Sequence, residues 1–532
     1  MTVLFRCDAS LIIGSGHVMR CLTLAREFTA YGESCYFFTR TQRGDLFSHI
    51  RRQVNLVPLS LIPDQSHFSS AESAYSDWLG CSQDQDALDT INAFKVANLT
   101  SIRLVVIDHY SLDKIWHDLF RHHLSLLGFN VPFLIIDDLA NRPLYADFLL
   151  DQNRIQSTSS DNPYLSLVPS HCKFFFGPYY ALIGESFRKL KPLLPPRKSP
   201  LQRLLIFFGA SDIHNFTELA LKAILDPHQY SFKIDVVIGN SNPHRNRIID
   251  FVSNYPHIHI HDPLPCLSGL MAQADLAIGA GGVTSWERAC LSLPSLVFCI
   301  ASNQSYVVQQ LSASGAAIRI GEFNNFNPQL LRDILNKFLS DPNLLQQYSE
   351  AASSLTDGWG TPRIHGALFP ERLKPLYIRP ALSSDVFLWF HWANDLASRQ
   401  ASFSSDTISL ETHKSWFQNK LSDPFSFLFV AHSLDGLPIA YIRFESKERL
   451  DTNNTFYISI ALDTAFRGHG LAFDVLDSGI SFFVSKYSNS PTLIAEIKSN
   501  NYASQRLFYK AGFVSTTPER PGSLCLSKFV QI

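Results

Sequence analysis

Short apolar runs and longer amphipathic stretches alternate along the first part of the chain. Residues 2–5, 34–38, 104–107 and 133–136 are continuous apolar runs that end in polar residues. Between them apolar positions recur with helical spacing, so the pattern predicts strands alternating with helices and a parallel sheet. A second series of the same kind starts at Arg203, with runs at 204–208, 233–238, 276–278 and 296–300. From Leu376 the pattern changes. Runs at 425–432 and 439–445 flank Asp435-Gly436, a hairpin-type turn. They are followed by an alternating strand at 455–462 and a helix through 473–483. The predicted class is α/β throughout, in three domains at 1–190, 201–370 and 376–532. Segments 189–200 and 362–375, rich in Pro and basic residues, read as linkers. A polar segment at about 63–86, with Trp78-Leu79-Gly80 inside it, interrupts the first domain.

A chain of 532 residues is too long for one core, which agrees with several domains. Hydrophobic residues make up 46% and charged residues 17%, the balance of a globular chain. A net charge of −2 supplies no basic field for nucleic acid or an anionic membrane, so neither is expected as a partner. Nine scattered cysteines form no C-x-x-C pair, which points to reduced thiols in a cytoplasm and to no metal site. Arg6 and Asp8 fall within the first ten residues, so the N-terminus does not read as a signal peptide. No apolar run reaches the ~18 residues of a membrane span. The abundance of phenylalanine is assigned to core packing.

Candidate chemistry starts at the first strand. Gly14 and Gly16 form a turn between it and a helix that begins at His17. Such a turn leaves backbone N–H groups unpaired where an anion can sit. His17 stands at its rim, and histidine is the side chain suited to act as a base near neutral pH. In a parallel sheet the ligand lies off the C-terminal strand ends, which here carry Asp108-His109-Tyr110 and Asp137-Asp138. Helix capping is the competing role for those aspartates. A second Gly-rich strand-to-helix turn, Gly279-Ala280-Gly281-Gly282, lies in the second series.

Asp8-x-Ser10-x-x-x-Gly14-x-Gly16-His17-x-Met19-Arg20 resembles the opening signature of the PseG-type UDP-sugar hydrolases of pseudaminic acid biosynthesis. The resemblance covers about residues 1–370 and extends to the GT-B architecture of the MurG-type glycosyltransferases, a pair of Rossmann-like subdomains. It implies His17 as the catalytic base, oriented by Asp8, and a substrate site that includes Gly14, Gly16, Arg20, Asp108 and Tyr110. It further implies a UDP site at Gly209, Ser211-Asp212, Gly239, Gly281-Gly282, Glu287 and Asn303-Gln304. There Glu287 would accept from the ribose hydroxyls, and Gly281-Gly282 would face the diphosphate.

Arg467-Gly468-His469-Gly470-Leu471-Ala472, between a strand and a helix, resembles motif A of the GNAT acetyltransferases. Its backbone N–H groups would take the pyrophosphate of coenzyme A without a metal. Asn501-x-x-Ser504-x-x-Leu507-Phe508-Tyr509-x-x-Gly512-Phe513 resembles the last block of that fold. The tyrosine acid common in the family falls at Phe508 here, and Tyr509 is one position late, which on a helix turns a side chain by roughly 100°. Trp392-x-Asn394, residues 399–403 and His413-x-x-Trp416-Phe417 resemble PseH, the N-acetyltransferase of the same pathway. The acetyl-CoA site is expected at Ile460, Leu462, Arg467, Gly468, Gly470, Ala472, Asn501 and Ser504, with Tyr509 as acid and Glu445 as a guessed base.

Together the resemblances imply a bifunctional enzyme. The C-terminal domain would acetylate the 4-amine of UDP-4-amino-4,6-dideoxy-β-L-AltNAc. The N-terminal domain would hydrolyse the UDP-2,4-diacetamido sugar with inversion at C1, using water and His17. The alternative is a UDP-sugar glycosyltransferase fused to an acetyltransferase for another nucleotide amino sugar.

Overall fold

A computed structural model describes the chain except residues 61–74, 155–161, 196, 198, 226–229, 240, 323–324, 447–453, 488–489, 519 and 532. The chain divides into two compact units, Met1–Thr361 and Pro362–Ile532.

The first unit holds two seven-stranded sheets. Strands β1 (Thr2–Cys7), β2 (Ser34–Arg40), β3 (Asn55–Leu59), β4 (Leu104–Asp108), β5 (Phe133–Ile136), β6 (Phe148–Asp151) and β7 (Lys173–Phe176) are ordered β3-β2-β1-β4-β5-β6-β7, all parallel. Strands β8 (Arg203–Phe207), β9 (Lys233–Val237), β10 (Ile258–His261), β11 (Leu276–Ala280), β12 (Ser295–Cys299), β13 (Ala317–Glu322) and β14 (Asn325–Phe326) repeat that order, with only β14 antiparallel. Each sheet has the Rossmann strand order, and the pair is the GT-B arrangement. Each also has a switch point, between β1 and β4 and between β8 and β11, where successive connections leave in opposite directions and open a crevice. Every residue of β1, β4, β11 and β12 is buried, as strands covered on both faces require.

The second unit has one mixed sheet: β15 (Tyr377–Pro380), β16 (Ser426–His432), β17 (Pro438–Glu445), β18 (Thr455–Leu462), β19 (Thr492–Lys498), β20 (Val514–Thr516) and β21 (Ser523–Phe529), ordered β15-β16-β17-β18-β19-β21-β20. All its pairs are antiparallel except β18 and β19, which pair only from Thr455–Thr492 to Tyr457–Ile494. Past Tyr457 the two strands splay, and residues 458–462 lose their partner on that side. Phe444, Phe456 and Phe483 pack the core beneath, with ring centroids of Phe444 and Phe483 4.2 Å apart.

Two linker expectations are corrected. Residues 362–375 carry most of a helix, Gly360–Leu368, and a 3-10 turn, Pro370–Leu373, with Arg363 and Ile364 fully buried. The 189–200 segment begins inside the helix Glu185–Leu190, and Arg197 is buried on the carbonyls of Met271, Ala272 and Leu291. Proline and basic residues suggested exposure, but buried arginines give the same composition when they are satisfied by carbonyls, as Arg197 is, or by a buried carboxylate, as Arg363 is by Asp463 at 3.0 Å. The interrupting segment contains a 3-10 turn, Ser76–Trp78, and reaches the helix Gln83–Val96; its 63–74 part lies outside the described residues. No helix among the described residues is long and apolar enough to cross a membrane.

Candidate functional site

At the switch point of the first sheet, the turn after β1 closes on itself. Gly14 N–H donates to the Ser10 carbonyl at 2.8 Å, and the Ser10 hydroxyl accepts from Ile13 N–H at 3.0 Å. Gly14 has φ +81°, a conformation that favours glycine. The helix Gly16–Ala30 then presents His17 and Arg20 one turn apart, toward the end of β4. There Asp108, fully buried, accepts His17 Nδ1–H at 2.6 Å on Oδ1, with Arg20 Nη2 on Oδ1 and Arg20 Nε on Oδ2, each at 2.6 Å. Burial alone would raise the Asp108 carboxyl, but Arg20 and His17 hold it well below the usual carboxylate range. An ionised Asp108 can only accept, so it fixes the proton on Nδ1 and leaves Nε2 as the basic nitrogen. Nε2 has no hydrogen-bond partner among the described residues, and His17 keeps 7% exposure.

An aromatic wall borders His17. The Tyr110 ring meets it edge-on at 4.6 Å, and Trp78 stacks on Tyr110 at 5.6 Å. The Tyr110 hydroxyl donates to Asp138; burial and then the Asp138 charge push that hydroxyl well above its ordinary range.

Asp8 does not orient His17. It accepts Arg6 Nη1 at 2.6 Å, Arg6 Nη2 at 2.9 Å and Arg40 N–H at 2.7 Å, and faces His109 Nε2 at 3.2 Å. The cause is strand alternation. Arg6 and Asp8 share one face of the chain, whereas Cys7, in register with Asp108, faces the other. Arg20 and Asp108 are likewise corrected from substrate ligands to residues that hold His17 and each other, at 4% and 0% exposure. Gly16 leaves open space at the helix start.

In the second half, Gly209 has φ +97°, and a Cβ at Gly239 would sit 2.1 Å from the Ala210 carbonyl oxygen, so the loops after β8 and β9 touch backbone to backbone. Gly281 is similarly tight, its Cβ position being 2.2 Å from Val308 Cγ2, while Gly282 is open except for Gln304 at 3.9 Å. Gln304 Oε1 accepts Ile300 N–H at 3.2 Å, and Asn303 is exposed beside it. Ser211 is half-buried with no side-chain hydrogen bond among the described residues. Asp212 is corrected: its carboxylate accepts Phe216 N–H, Thr217 N–H and the Thr217 hydroxyl at 2.8, 2.9 and 2.6 Å, which caps a helix and leaves little for a ligand. Glu287 is the opposite case. It is half-buried, its carboxylate has no partner among the described residues, and burial, opposed by Arg288, pushes it up to about 7. Arg288 itself donates to Ala280 O and Ser285 Oγ.

In the second unit, the splay of β18 from β19 opens into a cavity of about 880 Å³. Ile460, Leu462, Arg467, Gly468, Gly470, Ala472, Asn501 and Ser504 all line it. Gly468 and Gly470 have φ +80° and +75° with nothing within 4 Å of a Cβ, which leaves a cradle before the helix Leu471–Lys486 where a pyrophosphate has room. Arg467 is pinned by Asp395 at 2.6 Å and by the Leu462 carbonyl, so it braces the loop. Asn501 caps its helix through Ser504 N–H at 3.2 Å.

Tyr509 is corrected: it is 48% exposed, bonds the Ser515 hydroxyl at 2.8 Å and lies off the cavity, whereas Phe508 lines it. Glu445 is also corrected, being paired with Lys420 at 3.0 Å and absent from the cavity wall. The wall instead carries Glu496, with Arg520 Nε at 3.4 Å, together with His413, Trp416 and Arg443. Glu496 was missed because an acidic residue in an alternating strand carries no motif. Asn153, which bonds the Asp138 carboxylate, and Trp286, which bonds Asn153, were missed; the polar run after β6 was the available signal.

These features define an α/β chain with a GT-B pair followed in sequence by a GNAT domain. Residues 375–514 match the family described as "Acetyltransferase (GNAT) domain". Acetyl-CoA is the acyl donor of this domain, and the splayed strands with their open glycine cradle fit it.

Among curated relatives, the chain is 24% identical over 304 residues to "Uncharacterized protein MJ1062" of Methanocaldococcus jannaschii, covering 56% of this chain and 55% of that one. It is 24% identical over 202 residues to "Spore coat polysaccharide biosynthesis protein SpsG" of Bacillus subtilis, covering 38% and 59%. The chain thus spans little more than half the length of these relatives. Among solved structures, MurG of Acinetobacter baumannii aligns with 68% of this chain and 97% of its own at 14% identity and a TM-score of 0.44.

Proposed function

We propose that the first unit hydrolyses a UDP-linked sugar and the second acetylates an amine of the same sugar. The substrate class is a UDP-linked 2,4-diamino-trideoxy sugar of the pseudaminic acid type. The observation that carries the hydrolase reading is the 2.6 Å bond from His17 Nδ1 to the buried Asp108, which leaves Nε2 as a base at the crevice. His17 Nε2 takes a proton from water, and the water oxygen attacks C1. The C1–O bond breaks with its electron pair leaving on UDP, and C1 inverts. UDP departs as a stable anion, so one base suffices where ordinary glycosidases need two carboxylates. Glu287 and the Gly281-Gly282 turn hold the nucleotide, and the Trp78–Tyr110 wall packs against the sugar.

In the second unit the sugar amine attacks the thioester carbonyl, loses its proton to Glu496, and expels the coenzyme A thiolate. The likeness to a polysaccharide-biosynthesis protein supports a role in building surface glycans. Nine cysteines, none of them in a disulfide among the described residues, suit a cytoplasmic setting.

The test is UDP release from the 4-amino UDP-sugar with and without acetyl-CoA. Faster release with acetyl-CoA supports both activities in sequence. Equal release without it removes the proposed order, and release that requires an added acceptor sugar makes the first unit a transferase.

A further inference from the structure

A chain of buried and part-buried polar contacts leads from His17 into the second half of the first unit. Asp108 holds His17 and Arg20. Arg20 Nη1 lies 3.4 Å from Asp138 Oδ2, and that oxygen accepts Asn153 Nδ2–H at 2.7 Å. Asn153 Oδ1 then accepts Trp286 Nε1–H at 2.9 Å. Trp286 is 1% exposed, stands on the helix Thr284–Cys290 beside Glu287, and follows the Gly281-Gly282 turn. The indole can only donate and the carboxylate can only accept, so one orientation of the Asn153 amide serves both. Asn153 comes from the loop after β6, so this contact joins the two halves of the unit.

We propose that Asn153 and Trp286 are positioning residues through which the nucleotide-binding half sets the His17–Asp108 pair. Asp138 is satisfied by the Tyr110 hydroxyl, by Asn153 and, more distantly, by Arg20. Withdrawing the Trp286 donor frees the Asn153 amide to turn, and Asp138 loses a short bond in a buried site. The nearest cation that can replace it is Arg20. Arg20 then slides toward Asp138 and loosens its two bonds to Asp108, the carboxylate that holds His17. The charged and titratable groups around His17 are Asp108, Arg20 and Tyr110, with His109, Cys21 and Asp138 behind them. Among the described residues, Asp138 is the one of these groups that connects to the other half, through Asn153. The base is therefore fully set when the nucleotide half is docked. The inference takes the catalytic role of His17 from the proposed hydrolase activity, but its contacts stand without it.

The test uses the full chain. Trp286→Phe keeps the ring and removes only the donor, and Asn153→Ala removes the relay. The first readout is the low-field proton resonance of the imidazole Nδ1–H donated to Asp108, assigned by its loss in His17→Gln. It is expected to shift or broaden in both variants while thermal unfolding shows a folded chain. The second is UDP release, where kcat is expected to fall about tenfold with KM within about twofold. An unchanged resonance in either folded variant overturns the proposal, as does a loss carried by KM alone. A resonance that responds in a chain that releases no UDP keeps the coupling and removes the hydrolase reading.

Discussion

Replacing Asp108 by Asn changes one atom, yet no orientation of the introduced amide reproduces the native contacts. Oδ1 accepts from both His17 Nδ1 and Arg20 Nη2, and Oδ2 accepts from Arg20 Nε, each at 2.6 Å. With the amide nitrogen at the Oδ2 position, its N–H groups oppose the Arg20 Nε–H. With it at the Oδ1 position, it donates to His17 Nδ1, moves the imidazole proton to Nε2 and removes the base. In a Ser-His-Asp triad the same exchange lowers kcat about 10⁴-fold by imposing the wrong tautomer. Here a loss of about 10³–10⁴ in UDP release is expected from Asp108→Asn. Breaking one partner of a buried ion pair also costs about 3–5 kcal/mol of stability.

The native Asp108 carboxyl is depressed by Arg20 and His17 against its burial. Its contribution is therefore present above the unfolded carboxylate value of about 3.9 and is lost as pH falls through the lower native value. The stability gap between wild type and Asp108→Asn is full at neutral pH and narrows below about pH 4. The assay is a UDP-release rate on the folded variant, paired with thermal unfolding at pH 7 and pH 4. A folded variant that keeps more than about a tenth of the wild-type rate refutes the tautomer argument.

Asp8→Asn should show the opposite signature: a marked loss of thermal stability from the Arg6 pair, with kcat of the folded protein within about threefold of wild type. Glu287 is raised by burial to about 7, so the stability it costs builds as pH rises from the unfolded glutamate value of about 4.3 and is complete above about pH 7. Glu287→Gln should unfold at higher temperature than wild type above pH 7 but not at pH 4, and UDP binding measured by calorimetry should weaken and lose its rise across pH 7. Glu496→Gln should lower acetyl transfer about 10²-fold or more, the usual weight of a general base, and leave acetyl-CoA binding unchanged. Tyr509→Phe should leave acetyl transfer within about twofold, because its hydroxyl bonds Ser515 away from the cavity.

Where apolar periodicity named a strand it mostly placed it to within a residue, since runs such as 133–136 and 455–462 have no other way to bury both faces or alternate across one, whereas β3, β6, β7, β10 and β19 went unread. The glycine turns were equally legible, because Gly14, Gly209 and Gly468 sit at positive φ. Partners of buried charges were not. Asp8 and Asp108 are the same residue at the same kind of place, a strand's C-terminal end. Register decides which one meets the histidine: Cys7 pairs with Asp108, so Asp8 turns to the face that holds Arg6. A one-residue difference in register inverts a side chain's face, and no local pattern reports it.

The same accounting separates Asp212 from Glu287, both acidic groups at helix starts beside a glycine-rich turn. Capping needs a short side chain that reaches back to its own first-turn N–H groups, and Asp212 spends both oxygens there. Glu287 lies inside the first turn of its helix, where its longer side chain points away from those donors. Its carboxylate is left half-buried with no hydrogen-bond partner among the described residues, and burial, opposed by Arg288, raises its pKa to about 7. An unpaired buried carboxylate costs stability, and a ribose diol that donates two hydrogen bonds would relieve that cost. The nucleotide reading therefore rests on Glu287 and not on Asp212, although the motif named both.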